Sequence, residues 1–168
     1  MKKVPSRKDY VQEYFLRNYG DGETGEEVKA VGEFLAKNVV GNALDCGCGP
    51  SPQVWAICVP HATEIHAVDL APESVMFIKN ALKNKNKYPK LFGNYQKIVE
   101  KVSSKLSKDY ILKQIDKIKS VQQANMTKKL PFPDNYFDTV MSIYSLGVLQ
   151  NISELNSAIK EMSRVLKK

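Results

Sequence analysis

The stretch NALDCGCGPSPQVWA, residues 42–56, decides how this chain is read. Ala43 and Leu44 read as a short strand that ends in Asp45. Glycine and cysteine then alternate through Gly49. Ser51 can cap a helix and Pro52 suits a first helical position. A strand, a glycine bend and a helix start together make a ligand cradle. Three occupants can be weighed from the residues alone. Cys46, Cys48, Cys58 and His61 offer zinc ligands, but structural zinc spaces its cysteine pairs by about two to four residues. This pair is closer, so no metal is expected and the thiols read as small buried side chains. A dinucleotide needs G-x-G-x-x-G, with its pyrophosphate on the helix N-terminus. Gly47 and Gly49 fit, but Pro52 stands in the third glycine's place and removes an N–H from that helix end. A phosphate-free nucleoside fits better: the glycines turn the backbone and leave no Cβ in the ligand's way.

Working outward, TEIHAVDL at 63–70 reads as a second strand, and its Asp69 lies 22 residues beyond Gly47. A carboxylate there can accept hydrogen bonds from both ribose hydroxyls. It can equally cap the helix that Pro72 opens. Val75, Ile78 and Leu82 are spaced to pack that helix inward. Upstream, RKDYVQEYFLRNYG at 7–20 reads as a short helix with Tyr10 and Tyr14 one turn apart. DGETG at 21–25 is a break, and Thr24 with Glu27 fits a capping box. Val28, Val31, Phe34 and Leu35 then form a helical stripe. Helix, strand, helix, strand, helix is the order of a doubly wound, mostly parallel α/β sheet.

Residues 83–119 interrupt that order. NKNKYPKLFGN at 84–94 reads as a loop. Ile98, Val102 and Leu106, then Ile111, Ile115 and Ile118, are spaced for amphipathic helices. The segment reads as a helical insertion before a third strand near Val121–Ala124. A Pro-rich turn follows, then a fourth strand near Thr139–Ile143. Ile152, Leu155, Ile159, Met162 and Leu166 mark a last helix.

The net charge of +7 is concentrated in the insertion, which holds 11 of the 25 basic residues against Glu100, Asp109 and Asp116. Its lysines read as wet helix faces. The insertion has no arginine and few aromatics, which weighs against nucleic acid as a partner. No apolar run is long enough for a membrane span. The basic start lacks the apolar core of a signal peptide. Three cysteines crowded into 46–58 make no disulfide framework, and a reduced, cytoplasmic compartment is expected.

Three separated segments resemble the class I, Rossmann-like methyltransferases that depend on S-adenosyl-L-methionine (SAM). ALDCGCGP is similar to their glycine motif, and HAVDLAPESV to their second strand with its ribose-binding acid. LPFPDNYFDTVMSIYSLGVLQNISELNSAIKEMSRVLK is similar to their fourth strand and following helix. The resemblance implies a single SAM-binding domain over 1–168, with 1–40 as a helical cover. It implies SAM as cofactor, S-adenosylhomocysteine as product and a small-molecule methyl acceptor. Gly47 and Gly49 would pass under the methionine and ribose end, Asp45 would hold the loop or the methionine ammonium, and Asp69 would hold the ribose. Leu70 and Met126 would flank the adenine, and Asn125 would accept its amino group. The stretch after the fourth strand adds Ser142 and Tyr144, with Tyr144 and Ser145 as candidates to face the acceptor. No catalytic base is implied. The N-terminal RKDYVQEYF is similar to the SAM-covering helix of the nicotinamide, phenylethanolamine and indolethylamine N-methyltransferases. That narrower resemblance implies cofactor contacts from Tyr10, Tyr14 and Ser74, and an amine nitrogen as acceptor.

The sequence departs from the family at its end. Where the family continues into LKPGG and a fifth strand, this sequence stops at RVLKK, so the sheet is expected to be truncated after the fourth strand and its helix. A bare apolar edge of that kind favours association. The expected partners are a second copy in a homodimer or another chain that completes the sheet. Two other functions stay open: a non-catalytic or half methyltransferase acting as a partner subunit, and an RNA-directed methyltransferase.

Overall fold

A computed structural model describes residues 25–50, 56, 58–84 and 108–168. Helix α1 (Gly25–Asn38) leads into β1 (Gly41–Cys46) and β2 (Ala62–Asp69). Then follow α2 (Pro72–Lys83), α3 (Lys108–Ile115), β3 (Ile118–Gln123), β4 (Thr139–Met141) and α4 (Ile152–Val165). The strands form one sheet in the order β3-β2-β1-β4, with every neighbouring pair parallel. This is the doubly wound α/β arrangement.

Parallel strands covered on both faces read as nearly continuous apolar runs, and β1 is buried without a break from Ala43 to Cys46. Successive side chains leave opposite faces of a strand. Ala43, Ile65, Ala67, Val121 and Met141 therefore join Leu35 of α1, Val39 just beyond it, and Val75 and Ile78 of α2 in one core. Leu44, Cys46 and Val68 join Leu130, Phe132, Phe137 and Val165 in the other. His66 belongs to this second side, edge-on to the rings of Phe132, Tyr136 and Phe137.

The segment 130–138 is fixed by Arg164. Its guanidinium donates to the carbonyls of Leu130 (3.1 Å) and Phe132 (3.0 Å) and to the carboxylates of Glu161 (2.8 Å) and Asp134 (2.6 Å). Glu161 in turn accepts the Leu130 N–H at 2.9 Å. The charged hydrogen bonds from Arg164 hold the Glu161 carboxyl below the usual carboxylate range. Lysine cannot reproduce this planar fork. Arg164→Lys is expected to cost about 1–2 kcal/mol, read as a lower urea midpoint at unchanged slope.

Several sequence expectations shift. Ile118 opens β3 rather than continuing a helix, so β3 starts earlier than expected and the insertion ends before it. Of that insertion only α3 and its flanks lie within the described residues. Strand β4 is shorter than expected, because the chain turns away at Ser142. In α4 the period is right and the expected face is only partly inward: Met162 packs on the second core and Leu155 and Leu166 are half-buried. Ala158 and Val165 are buried, whereas Ile152 is 71% and Ile159 47% exposed. Helix α4 packs beside β4, and among the described residues no further strand stands beyond β4 to cover its other side. Phe34 of α1 also faces outward. Asn151 caps α4 by accepting the Glu154 N–H, and Glu154 reaches back one residue past the cap to accept the Gln150 N–H. Among the described residues, no helix is long and apolar enough to cross a membrane.

Candidate cofactor site

In a doubly wound sheet the ligand crevice lies at the carboxyl ends of the strands, where the strand order reverses. Here the order reverses between β1 and β4. The glycine bend leaves β1 at that point. The N–H groups of Gly47 (2.8 Å) and Cys48 (3.0 Å) both donate to the carbonyl of Val68, folding the chain over the end of β2. Gly47 and Gly49 take φ of +74° and +56°, a conformation that favours glycine. A Cβ on Gly47 would also lie 2.5 Å from Cβ of Ser145 and 2.7 Å from Cε of Met126.

Asp69 closes the bend from β2. One carboxylate oxygen accepts the Gly49 N–H at 2.7 Å and the other accepts the Ala71 N–H at 2.8 Å. Asp69 thus ties the glycine bend to Ala71, the residue that caps α2, and does not itself cap that helix. A carboxylate has about four acceptor positions, so each oxygen keeps capacity for a further donor such as a ribose hydroxyl.

Two serines hold the bend from the β4 side. The hydroxyls of Ser142 and Ser145 each lie 2.9 Å from the Cys46 carbonyl, and they contact one another. Two protons serve three contacts, so one hydroxyl donates to the carbonyl and the other to either neighbour. Ser145 is buried here. Its hydroxyl, a candidate to face the acceptor, is turned to the Cys46 carbonyl of the bend.

Asp45 is the electrostatic outlier. It is buried, and its Oδ2 has no hydrogen-bond partner among the described residues. Burial, and then the charge of Asp69, push its carboxyl up to about 7. Burial also raises Asp69, against the pull of the Ala71 and Gly49 N–H groups. Burial pushes the Cys58 thiol up to about 12 and raises Cys46 and Cys48 as well, so all three stay protonated. Cys46 and Cys48 enter opposite cores. No group of three His, Cys, Asp or Glu side chains suited to a metal forms among the described residues.

The remaining sequence candidates divide. Met126 packs against the second core and comes close to Gly47. Leu70 is 63% exposed beyond the end of β2. Ser74 is buried in the first turn of α2, its hydroxyl without a partner among the described residues. Oδ1 of Asn125 already accepts the N–H and the hydroxyl of Thr127, at 2.9 and 2.8 Å. Both of its lone pairs are thus engaged, and the acceptor foreseen for an adenine amino group is spent. Tyr144 is 54% exposed and sits at φ +57°, a strained backbone of the kind that gathers at functional sites. Tyr10 and Tyr14 lie outside the described residues. The role of Ser145 behind the bend had no signal in the sequence, because it depends on how β4 meets β1.

Residues 44–168 match the model of a family described as a methyltransferase domain. The chain belongs to this methyltransferase domain family. The cofactor that goes with membership is SAM, and an unpartnered buried acid beside a glycine bend suits a cationic nucleoside. A 40-residue segment of this chain is 52% identical to UbiE, the ubiquinone/menaquinone biosynthesis C-methyltransferase of Chromobacterium violaceum, over 24% of this chain and 15% of UbiE. Among solved structures, the PH0226 protein of Pyrococcus horikoshii OT3 superposes with a TM-score of 0.62 at 20% identity, over 95% of this chain and 61% of that one. A putative SAM-dependent methyltransferase of Methanococcus maripaludis gives 0.60 at 15% identity, over 99% and 63%. This chain thus spans less than two thirds of the length of each of these relatives.

Proposed function

We infer that the protein transfers a methyl group from SAM to a small-molecule acceptor. One observation carries this most: the Asp69 carboxylate tied to the Gly49 N–H, at the strand ends where the order reverses. Bound SAM supplies an activated methyl group on a sulfonium, ready for in-line displacement. Asp69 holds the ribose hydroxyls with the acceptor capacity its two backbone bonds leave. Gly47 and Gly49 bring bare backbone to the methionine end. Met126 and Leu70 offer apolar flanks to the adenine. Asn125, with its oxygen engaged, turns an amide N–H toward a ring nitrogen. Ser142 and Ser145 fix the bend, which contributes alignment, a term that can reach several kcal/mol. Tyr144, turned outward by its backbone, faces the acceptor.

Calorimetry with S-adenosylhomocysteine tests this. Micromolar binding to the wild type is expected, weakened at least tenfold by Asp69→Asn, about 1.4 kcal/mol. Folded wild type that does not bind overturns the proposal. The acceptor class rests on thinner support. The segment shared with UbiE favours a carbon nucleophile on a small molecule, whereas the RKDYVQEYF resemblance favours an amine.

A second reading has its own observation. Strand β4 is one edge of the sheet among the described residues, and Ile152 and Ile159 of α4 are exposed. That edge favours assembly with a second copy or another chain, which the elution volume on gel filtration reports.

A further inference from the structure

Asp45 holds a position that cofactor binding alone does not explain. It is the penultimate residue of β1, buried, with one carboxylate oxygen facing no donor. A carboxylate of this kind is costly to ionise without a cation beside it. The described surroundings offer none. From β2 the charged neighbour is Asp69, of like sign, while His66 lies on the opposite side of the sheet among the rings. From β1 and the bend come the thiols of Cys46 and Cys48. The packed faces of α1 and α2 bring Leu35, Ser74, Val75, Ile78 and Ala81, and the turn after α1 brings Val39, all uncharged. Strand β4 adds Met141, and the β4 turn adds Ser142 and Ser145. The sequence 50–57, PSPQVWAI, has no titratable side chain.

We propose that Asp45 makes this site select a cationic sulfonium over a neutral thioether, by giving up its proton when the cation arrives. This rests on the nucleoside-site reading above and says which charge state that site prefers. The step is a simple ionisation: the O–H bond of the carboxylic acid breaks, its electron pair stays on oxygen, and the proton passes to buffer. When methyl transfer turns the sulfonium into a thioether, the carboxylate takes a proton back. The site then holds the product less tightly than the donor.

Calorimetry in two buffers of different ionisation heat reads this directly. Wild type is expected to release about half a proton per SAM bound at pH 7, and less for S-adenosylhomocysteine. The donor-over-product affinity ratio is expected to rise at least about threefold from pH 6 to pH 8. In Asp45→Asn both effects should vanish, apart from the ligand's own amino ionisation, which the variant measures. Equal proton release for the two ligands on wild type overturns the proposal, whether or not the variant folds. So does a pH dependence of the ratio as large in Asp45→Asn as in the wild type. Binding of both ligands without these effects leaves the nucleoside site standing and removes the charge selection. Absence of binding removes both.

Discussion

Asp45→Asn is expected to stabilise the protein at pH 8 by roughly 2–4 kcal/mol. In the folded chain, burial and the Asp69 charge push the Asp45 carboxyl up to about 7. In the unfolded chain it titrates near the ordinary value of about 3.9. Between these values the unfolded state binds fewer protons than the folded one, so wild-type stability falls as pH rises from about 4 to about 7. Above that window the folded state carries a buried carboxylate beside a second one. Asparagine carries no charge, and its own buried amide offsets part of the gain. Urea midpoints at pH 4 and pH 8 check this. The two proteins should converge at the acid end and separate at pH 8. An equal difference at both pH values would mean that Asp45 does not titrate between them. A stability penalty retained in the native protein is what a binding residue is expected to carry.

The sheet was legible because parallel strands buried on both faces leave apolar runs that end in chemistry: ALDC before the glycines and HAVD before Pro72. Strand positions followed from those runs, and the order of elements gave the winding. The face of α4 was only partly legible. Ile152 and Ile159 have the right spacing for a core stripe, but the face a helix buries is set by the neighbouring strand. Ile118 was misplaced for a related reason: Ile111, Ile115 and Ile118 continue one helical spacing, and only the pairing of β3 with β2 ends it. At the bend, Asp69, Gly47 and Gly49 stand out in the sequence because their chemistry is local. Ser145 could not be given its role, since its contact with the Cys46 carbonyl spans the sheet. Arg164 was likewise silent: its carbonyl partners are backbone atoms about thirty residues away, and backbone acceptors have no sequence signature.

Gly47→Ala is expected to cost roughly 3–5 kcal/mol and to weaken S-adenosylhomocysteine binding more than tenfold. Two separate penalties meet at this residue. The first is conformational: at φ +74° a side chain crowds its own backbone. The second is steric: the new methyl would lie 2.5 Å from Cβ and 2.6 Å from Oγ of Ser145, and 2.7 Å from Cε of Met126. The methionine tip can swing away. Ser145 cannot, because its hydroxyl is held on the Cys46 carbonyl and its Cβ is fixed to the backbone. The bend would have to open, moving Gly49 away from Asp69. Adding Ser145→Gly separates the two costs, since it removes the side chain in the way but leaves φ unchanged. The double variant should recover about 1–3 kcal/mol of the loss, a coupling that independent sites do not show. It should not regain full binding, since the Ser145 hydroxyl that helps hold the bend is gone. Simple additivity of the two substitutions would mean that the methyl is accommodated without touching Ser145. The β4 turn would then not be what sets the shape of the bend.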